Sequence, residues 1–194
     1  MDLIGSTQIQ GRASLGGNLC NGSPAADSVP ALIAAAAVCK IAGPNGLREA
    51  KAESIVTGPG KISLKKGEFI VSFFLPKRPK LSGDAYLRLI PRTEMDIAVV
   101  GAGVSLVIDK KGICTDARVA LGAVAPKPLL VKAGAKALIG TTVDEAALEA
   151  LAAAASAACN PIDDKRGTIV YRTKIAGVLA RRAALIALDR AKGN

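Results

Sequence analysis

The chain has 194 residues, half of them apolar, with 3% aromatic residues and neither His nor Trp. Its 26 Lys and Arg against 16 Asp and Glu leave a net +10, but the cations stand in scattered pairs (Lys65-Lys66, Lys77-Arg78, Arg181-Arg182) without the interleaved aromatics that stack bases, so no nucleic-acid partner is expected. Without histidine there is no Ser-His or Cys-His nucleophile pair and no usual metal ligand, so any chemistry must be borrowed from a cofactor.

The length suffices for one large domain or two small ones. At the start, Met1-Asp2-Leu3-Ile4 lacks the basic region and apolar run of a signal peptide, and no apolar segment is long enough to span a bilayer. Residues 5–12 are a polar approach to Ser14-Leu-Gly-Gly-Asn-Leu-Cys-Asn-Gly-Ser-Pro-Ala-Ala-Asp27. Gly16 and Gly17 have no Cβ, so the backbone there can approach a ligand closely. Ser23 as N-cap and Pro24 at the first helical position predict a helix to about Ala37, with Leu32 and Ile33 on its buried side. Donors converging at a helix start suit an anion. A tight turn leading into a helix, with no ligand, explains the same spacing equally well.

Val38 to Ala42 reads as a strand, Pro44-Asn45-Gly46 as a turn, and Glu49 to Val56 as a short helix or strand ended by Thr57-Gly-Pro-Gly-Lys61. That run is no P-loop, because Ile55 stands where the first glycine belongs. Glu68 to Pro76 carries the strongest strand signal, and Lys77 to Gly83, with its proline, glycine and charges, marks a boundary between subdomains. Ala85 to Ile90 is a further strand. Asp96 to Asp109 holds Gly101-Ala-Gly103, but Leu106 replaces the third glycine of a dinucleotide motif, so a strand bend is expected instead. Lys110-Lys111-Gly112 turns into Ile113 to Val124, giving an antiparallel sheet.

The last third is helical. Leu129 to Ile139 forms a helix stopped by Gly140, and Thr142-Val-Asp-Glu145 fits a capping box opening an Ala-rich helix to about Ala158, closed by Asn160-Pro161. Thr168 to Lys192 forms a final helix with Tyr171, Ile175, Val178, Leu179 and Leu185 on one apolar face. Helices packed on a small antiparallel sheet make the chain α+β. Cys20, Cys39, Cys114 and Cys159 show no CxxC or metal spacing, which suits reduced thiols in the cytoplasm, and only Cys20 lies inside the glycine stretch.

Ile4-Gly-Ser-Thr-Gln-Ile9 followed by Arg12-Ala-Ser-Leu-Gly-Gly-Asn-Leu-Cys-Asn-Gly-Ser-Pro-Ala-Ala-Asp27 resembles the second flavin-binding segment of the FAD subunit of molybdenum hydroxylases. That family includes aerobic carbon monoxide dehydrogenase and xanthine dehydrogenase. The likeness continues through Thr57-Gly-Pro-Gly-Lys61, Gly67-Glu68, Leu75-Pro76, Tyr86, Arg92, Met95-Asp-Ile-Ala98, Leu121-Gly-Ala-Val-Ala-Pro126, Leu138-Ile-Gly140, Asp163-Asp164, Tyr171-Arg172 and Arg181-Arg182-Ala183, in the family's order.

The resemblance implies that residues 1–80 are the later lobe of a vanillyl-alcohol-oxidase-type FAD domain and residues 84–194 the family's flavoprotein C-terminal domain. It implies an oxidoreductase subunit with FAD as cofactor, no catalytic residue of its own and no metal. Electrons would reach FAD from a molybdenum-cofactor large subunit through a small subunit carrying 2Fe-2S clusters, then pass to an external acceptor. Ser14, Leu15, Gly16, Gly17 and Asn18 match positions that wrap the flavin diphosphate and ring, Asp27 the acid that holds the sugar portion, and Ile70 an apolar position beside the cofactor. Arg88 falls where the family has a lysine reaching the flavin, Gln10-Gly11 where it often has Arg-Asn, and Ile97 near the flavin ring. Asp27 also suits the first turn of a helix in its own right.

Family members carry a further lobe with a first glycine-rich loop ahead of this segment. Either a companion chain supplies that lobe, or the chain is a truncated product or a fragment of a longer subunit, and weak or absent FAD binding by this chain alone is expected. The alternative is a non-catalytic subunit-docking module that no longer binds flavin.

Overall fold

The computed structural model describes residues 3–92 and 95–193; Met1 and Asp2, part of the stretch read above for a signal peptide, lie outside the described residues, as do Thr93, Glu94 and Asn194. The chain opens with two short helices, α1 (Thr7–Gln10) and α2 (Leu15–Cys20). The glycine stretch is thus itself helical at its start, and the Ser14 hydroxyl caps it by accepting the Gly17 N–H at 3.0 Å. The helix expected from Ser23 begins only at Ser28, as α3 (Ser28–Ala34). Pro30 explains the delay. A helix started at Ser23 would hold that proline in its interior, where it lacks an N–H and clashes with the preceding turn, whereas in α3 it sits in the first turn. Ser23 instead closes a local turn, accepting the Ala25 N–H at 3.2 Å.

Next come β1 (Val38–Gly43), β2 (Gly46–Lys51) and β5 (Phe69–Phe74), which form an antiparallel sheet in the order β2-β1-β5. The segment read as helix or strand resolves into β2 and a 3-10 turn, Ala52–Ser54. Thr57 to Lys61 is the tip of a small hairpin of β3 (Val56–Gly58) and β4 (Lys61–Ile62). Leu19, Val29, Ile33, Cys39, Ile41 and Ile55 are fully buried together and make a first core.

The second half is built on the antiparallel sheet β6-β7-β8-β9, from β6 (Ser82–Leu89), β7 (Val100–Ile108), β8 (Cys114–Gly122) and β9 (Leu129–Leu130). One face packs against α4 (Lys132–Leu138), α5 (Glu145–Ala157) and α6 (Ile169–Ala191), enclosing a second core around Val104, Leu106, Val119, Leu121 and Leu151. The α+β architecture expected from the pattern is the one observed.

Four local expectations are corrected. Leu129 and Leu130, expected to open a helix, pair with Leu121 and Ala120 of β8 as an edge strand, and the helix begins only at Lys132. Gly101 and Gly103 make no bend, because β7 keeps register with β6 through both, and the ladder shifts at Val107/Ile108 instead. Their role is clearance: a Cβ on Gly103 would come 2.8 Å from the Pro30 carbonyl oxygen, and one on Gly101 2.8 Å from the Tyr86 hydroxyl. That clearance seats α3 on the sheet face opposite α6. The capping box also fails, since Val143 has φ +57° and cannot be helical, so α5 is capped by Asp144, whose carboxylate accepts the Ala147 N–H at 3.0 Å. Finally, α6 buries a stripe of small residues centred on Ala176, Ala180, Ala183 and Ala187, while Tyr171 and Leu185 stay exposed.

Two arginines tie these parts together. Arg118 of β8 donates to the Ile33 carbonyl at 2.9 Å and pairs with Glu53 at 3.2 Å, gripping the end of α3. Arg172, buried in α6, donates to the carbonyls of Val99 (2.8 Å) and Ala123 (3.1 Å) and pairs with Asp164 at 2.8 Å. Among the described residues, no helix is long and apolar enough to cross a membrane.

Candidate functional site

Strand alternation sends Asp84, Tyr86 and Arg88 to the face of β6 shared with Gly101 and Gly103, which is the face that receives α3. There Arg88 meets Asp27 at the start of α3, at 2.8 Å, and also donates to the Leu3 carbonyl. The Tyr86 hydroxyl reaches the same carboxylate at 3.5 Å. Both members of the ion pair are largely buried, with side chains 10% and 13% exposed. Burial pushes the Asp27 carboxyl above the ordinary carboxylate range, and Arg88 and Tyr86 only partly offset it. Burial likewise pushes the Tyr86 phenol up, so it stays a neutral hydrogen-bond donor.

The glycine loop abuts this cluster. Asn18 accepts the N–H (3.1 Å) and hydroxyl (2.6 Å) of Ser28, the residue after Asp27, so the loop and the start of α3 are fastened together. With Gly17 satisfied by Ser14, the N–H groups of Leu15 and Gly16 have no acceptor among the described residues. A Cβ on Gly16 would meet nothing within 4 Å. Two donors without acceptors at the start of α2, beside an open Gly16, are of the kind that suits an oxyanion and form a candidate cradle.

Two grooves flank the segment from Ser14 to Ser28. One, of about 320 Å³, is lined by Leu3, Leu15, Asp27, Ala31, Leu75 and Tyr86 among others. The other, of about 360 Å³, lies between Ser23, Pro24 and Ala25 on one side and Ile97, Pro126 and Ile162 on the other. Of the residues singled out from sequence, Leu15 and Asp27 line the first groove, Arg88 clamps Asp27, and Ser14, Gly16, Gly17 and Asn18 build the adjoining cradle. Ile97 lies in the second groove. Ile70 stands apart from both: it pairs with Ile41 in the first sheet and packs on the first core.

The sequence reading gave no role to Tyr86 or Ser28. Tyr86 carried a usable signal, since it lies two residues before Arg88 and a strand puts both on one face. Ser28 carried none, because its bond to Asn18 depends on how the turn at residues 21–27 folds. Cys20 is half-buried and burial pushes its thiol up, which gives no reactive thiolate beside the cradle.

Residues 1–78 match the family described as the FAD binding domain in molybdopterin dehydrogenase. Residues 85–187 match the one described as the CO dehydrogenase flavoprotein C-terminal domain. The chain is 36% identical over 190 residues to the carbon monoxide dehydrogenase medium chain of Afipia carboxidovorans, covering 98% of this chain and 65% of that protein. It is 29% identical over 192 residues to a xanthine dehydrogenase FAD-binding subunit of Escherichia coli, again covering 98% and 65%. Among solved structures, the reconstituted CO dehydrogenase from Oligotropha carboxidovorans superimposes with a TM-score of 0.92 at 34% identity, covering 97% of this chain and 65% of that one. The chain therefore spans just under two thirds of the length of these relatives.

Proposed function

The chain belongs to the FAD-binding subunits of the carbon monoxide and xanthine dehydrogenase family of molybdenum hydroxylases, and from that premise we propose that it supplies one half of a flavin site in an electron-transfer subunit. FAD, the family's cofactor, supplies the redox chemistry when bound, accepting electrons and releasing them to an acceptor. The chain's own residues bind and orient. Leu15 and Gly16 would hold the diphosphate through their free N–H groups, with Gly17 and Ser14 keeping the helix start in shape and Asn18 fixing the loop to α3. Asp27, aimed by Arg88 and Tyr86, would accept from sugar hydroxyls. Ile97 would border an apolar part of the cofactor, whereas Ile70, set in the first sheet away from both grooves, is given no part in the site.

The observation that carries this reading is the pair of unpartnered donors at Leu15 and Gly16 beside open space. No histidine or metal is needed for such a cradle. The division into a flavin lobe over residues 1–80 and a C-terminal domain over residues 84–194 is part of the same proposal. So are the partners: a molybdenum-cofactor large subunit and a 2Fe-2S small subunit. A place in the cytoplasm is proposed with them and fits four cysteines that are all free thiols.

Titrating FAD into the purified chain and following flavin fluorescence tests the reading. Weak, saturable quenching is expected, and Gly17→Asp should abolish it by setting a carboxylate against the diphosphate. Unchanged quenching in that variant removes the loop from the site. A stoichiometric flavin peak surviving gel filtration overturns the expectation of weak binding.

A further inference from the structure

The residues that sequence periodicity set on the apolar face of α6 are not all consumed by the core, and what remains forms an outward stripe. Tyr171, Lys174, Val178, Arg181, Arg182 and Leu185 recur at helical spacing within about 100° of one another on the helix surface. The buried alanine stripe lies on the other side. Tyr171 is 45% and Leu185 42% exposed. Toward α5 the stripe borders a groove of about 340 Å³ whose floor is Ala152, Ala153 and Gly177. That floor is shallow for a reason: α5 lies so close that a Cβ on Gly177 would come 2.8 Å from the Ala152 carbonyl oxygen.

The charges on this stripe are unevenly used. Arg181 is held by both carboxylate oxygens of Glu145 at 2.7 Å. Lys174 and Arg182, on the rim of the same groove, have no ion-pair partner among the described residues. An apolar residue at each end, Val178 between them, and two uncommitted cations make a surface about 21 Å long, taking 1.5 Å per residue from Tyr171 to Leu185. A membrane surface would need a longer apolar stripe with less interruption. A small anion would leave Tyr171 and Leu185 unused.

We infer that this α5–α6 face docks an acidic amphipathic helix of a partner polypeptide. Its apolar residues would lie on Tyr171, Val178 and Leu185, and its carboxylates would reach Lys174 and Arg182. The small residues of the floor let the partner approach closely. This inference is independent of the flavin reading, since it uses no residue of either flavin groove.

The test is fluorescence anisotropy of a labelled helical peptide of about 15 residues, with leucines a heptad apart and glutamates between them, titrated with the full chain. Saturable binding is expected, weakened about tenfold or more in the double variant Lys174→Glu with Arg182→Glu. The double variant Lys65→Glu with Lys66→Glu makes the same change in net charge and should leave binding within about twofold, which separates the stripe from general attraction. Tyr171→Ser with Leu185→Ser should also weaken binding about tenfold, because hydrophobic anchors carry such contacts. No binding, equal loss in both charge variants, or equal affinity for a lysine-bearing version of the peptide overturns the inference.

Discussion

Gly83 lies where β6 crosses α6, and its position leaves no room for a side chain. A Cβ there would press into the Ala187 carbonyl oxygen and come 2.7 Å from the Ala191 nitrogen. Both obstacles are helix backbone, so neither can swing aside as a side chain would. Gly83→Ala is therefore expected to destabilise the fold by about 2 kcal/mol or more, read as a lower urea midpoint at unchanged slope. The same logic of confinement governs Asp27. It sits in a partly closed site where burial raises its pKa, yet it faces a guanidinium and a phenol that both donate to it. The cluster holds a charged acceptor at a fixed point, as a sugar hydroxyl would require.

At the level of elements, α5 shows how one backbone angle overrides a motif. The sequence offers Thr142 and Glu145 as a capping box, but the positive φ of Val143 hands the cap to Asp144. Asp144→Ala should cost about 1 kcal/mol in urea unfolding, while Thr142→Ala should cost a few tenths at most. Equal losses would restore the motif. The strands near Val38, Phe69 and Ala85 and the turn at Lys110-Lys111-Gly112 were legible because their signals are local, although the strand at Ala85 starts earlier, at Ser82. The start of α3 was not, since Ser23-Pro24 looks like a good cap until the position of Pro30 is weighed. Nor was the buried face of α6, because alanines pack closer than the larger Tyr171 and Leu185 that dominate a hydrophobicity pattern. The candidate site divides the same way. Its glycine loop could be read directly, but the Arg88 contact to Asp27 spans 61 residues of sequence and exists only because α3 lies on the second sheet.

Across the whole molecule, carboxylates set the response to acid. Arg48 bonds Glu68 and holds it down to about 2, from an ordinary value near 4.5. Arg166 and Arg92 hold Asp96 down to about 2, from near 3.8. Asp164 is lowered as well, because the Arg172 bond and backbone donors outweigh its burial. A group whose pKa is lower when folded contributes stability above its unfolded value and loses it as pH falls through the folded one. Asp27 runs the other way, its raised pKa meaning that acid relieves a cost. With three groups against one, the urea midpoint should fall between about pH 5 and about pH 2, and Glu68→Gln should make that fall shallower. The two cores also differ in what they enclose. Cys39 is buried in the first and Cys114 in the second, with both thiols pushed up by burial, Cys39 to about 11. Neither can act as a nucleophile while its core is closed. Each half of the molecule thus carries a built-in clock: a thiol reagent would be consumed only when that half breathes open, and the two rates compared would tell whether the halves open separately or as one.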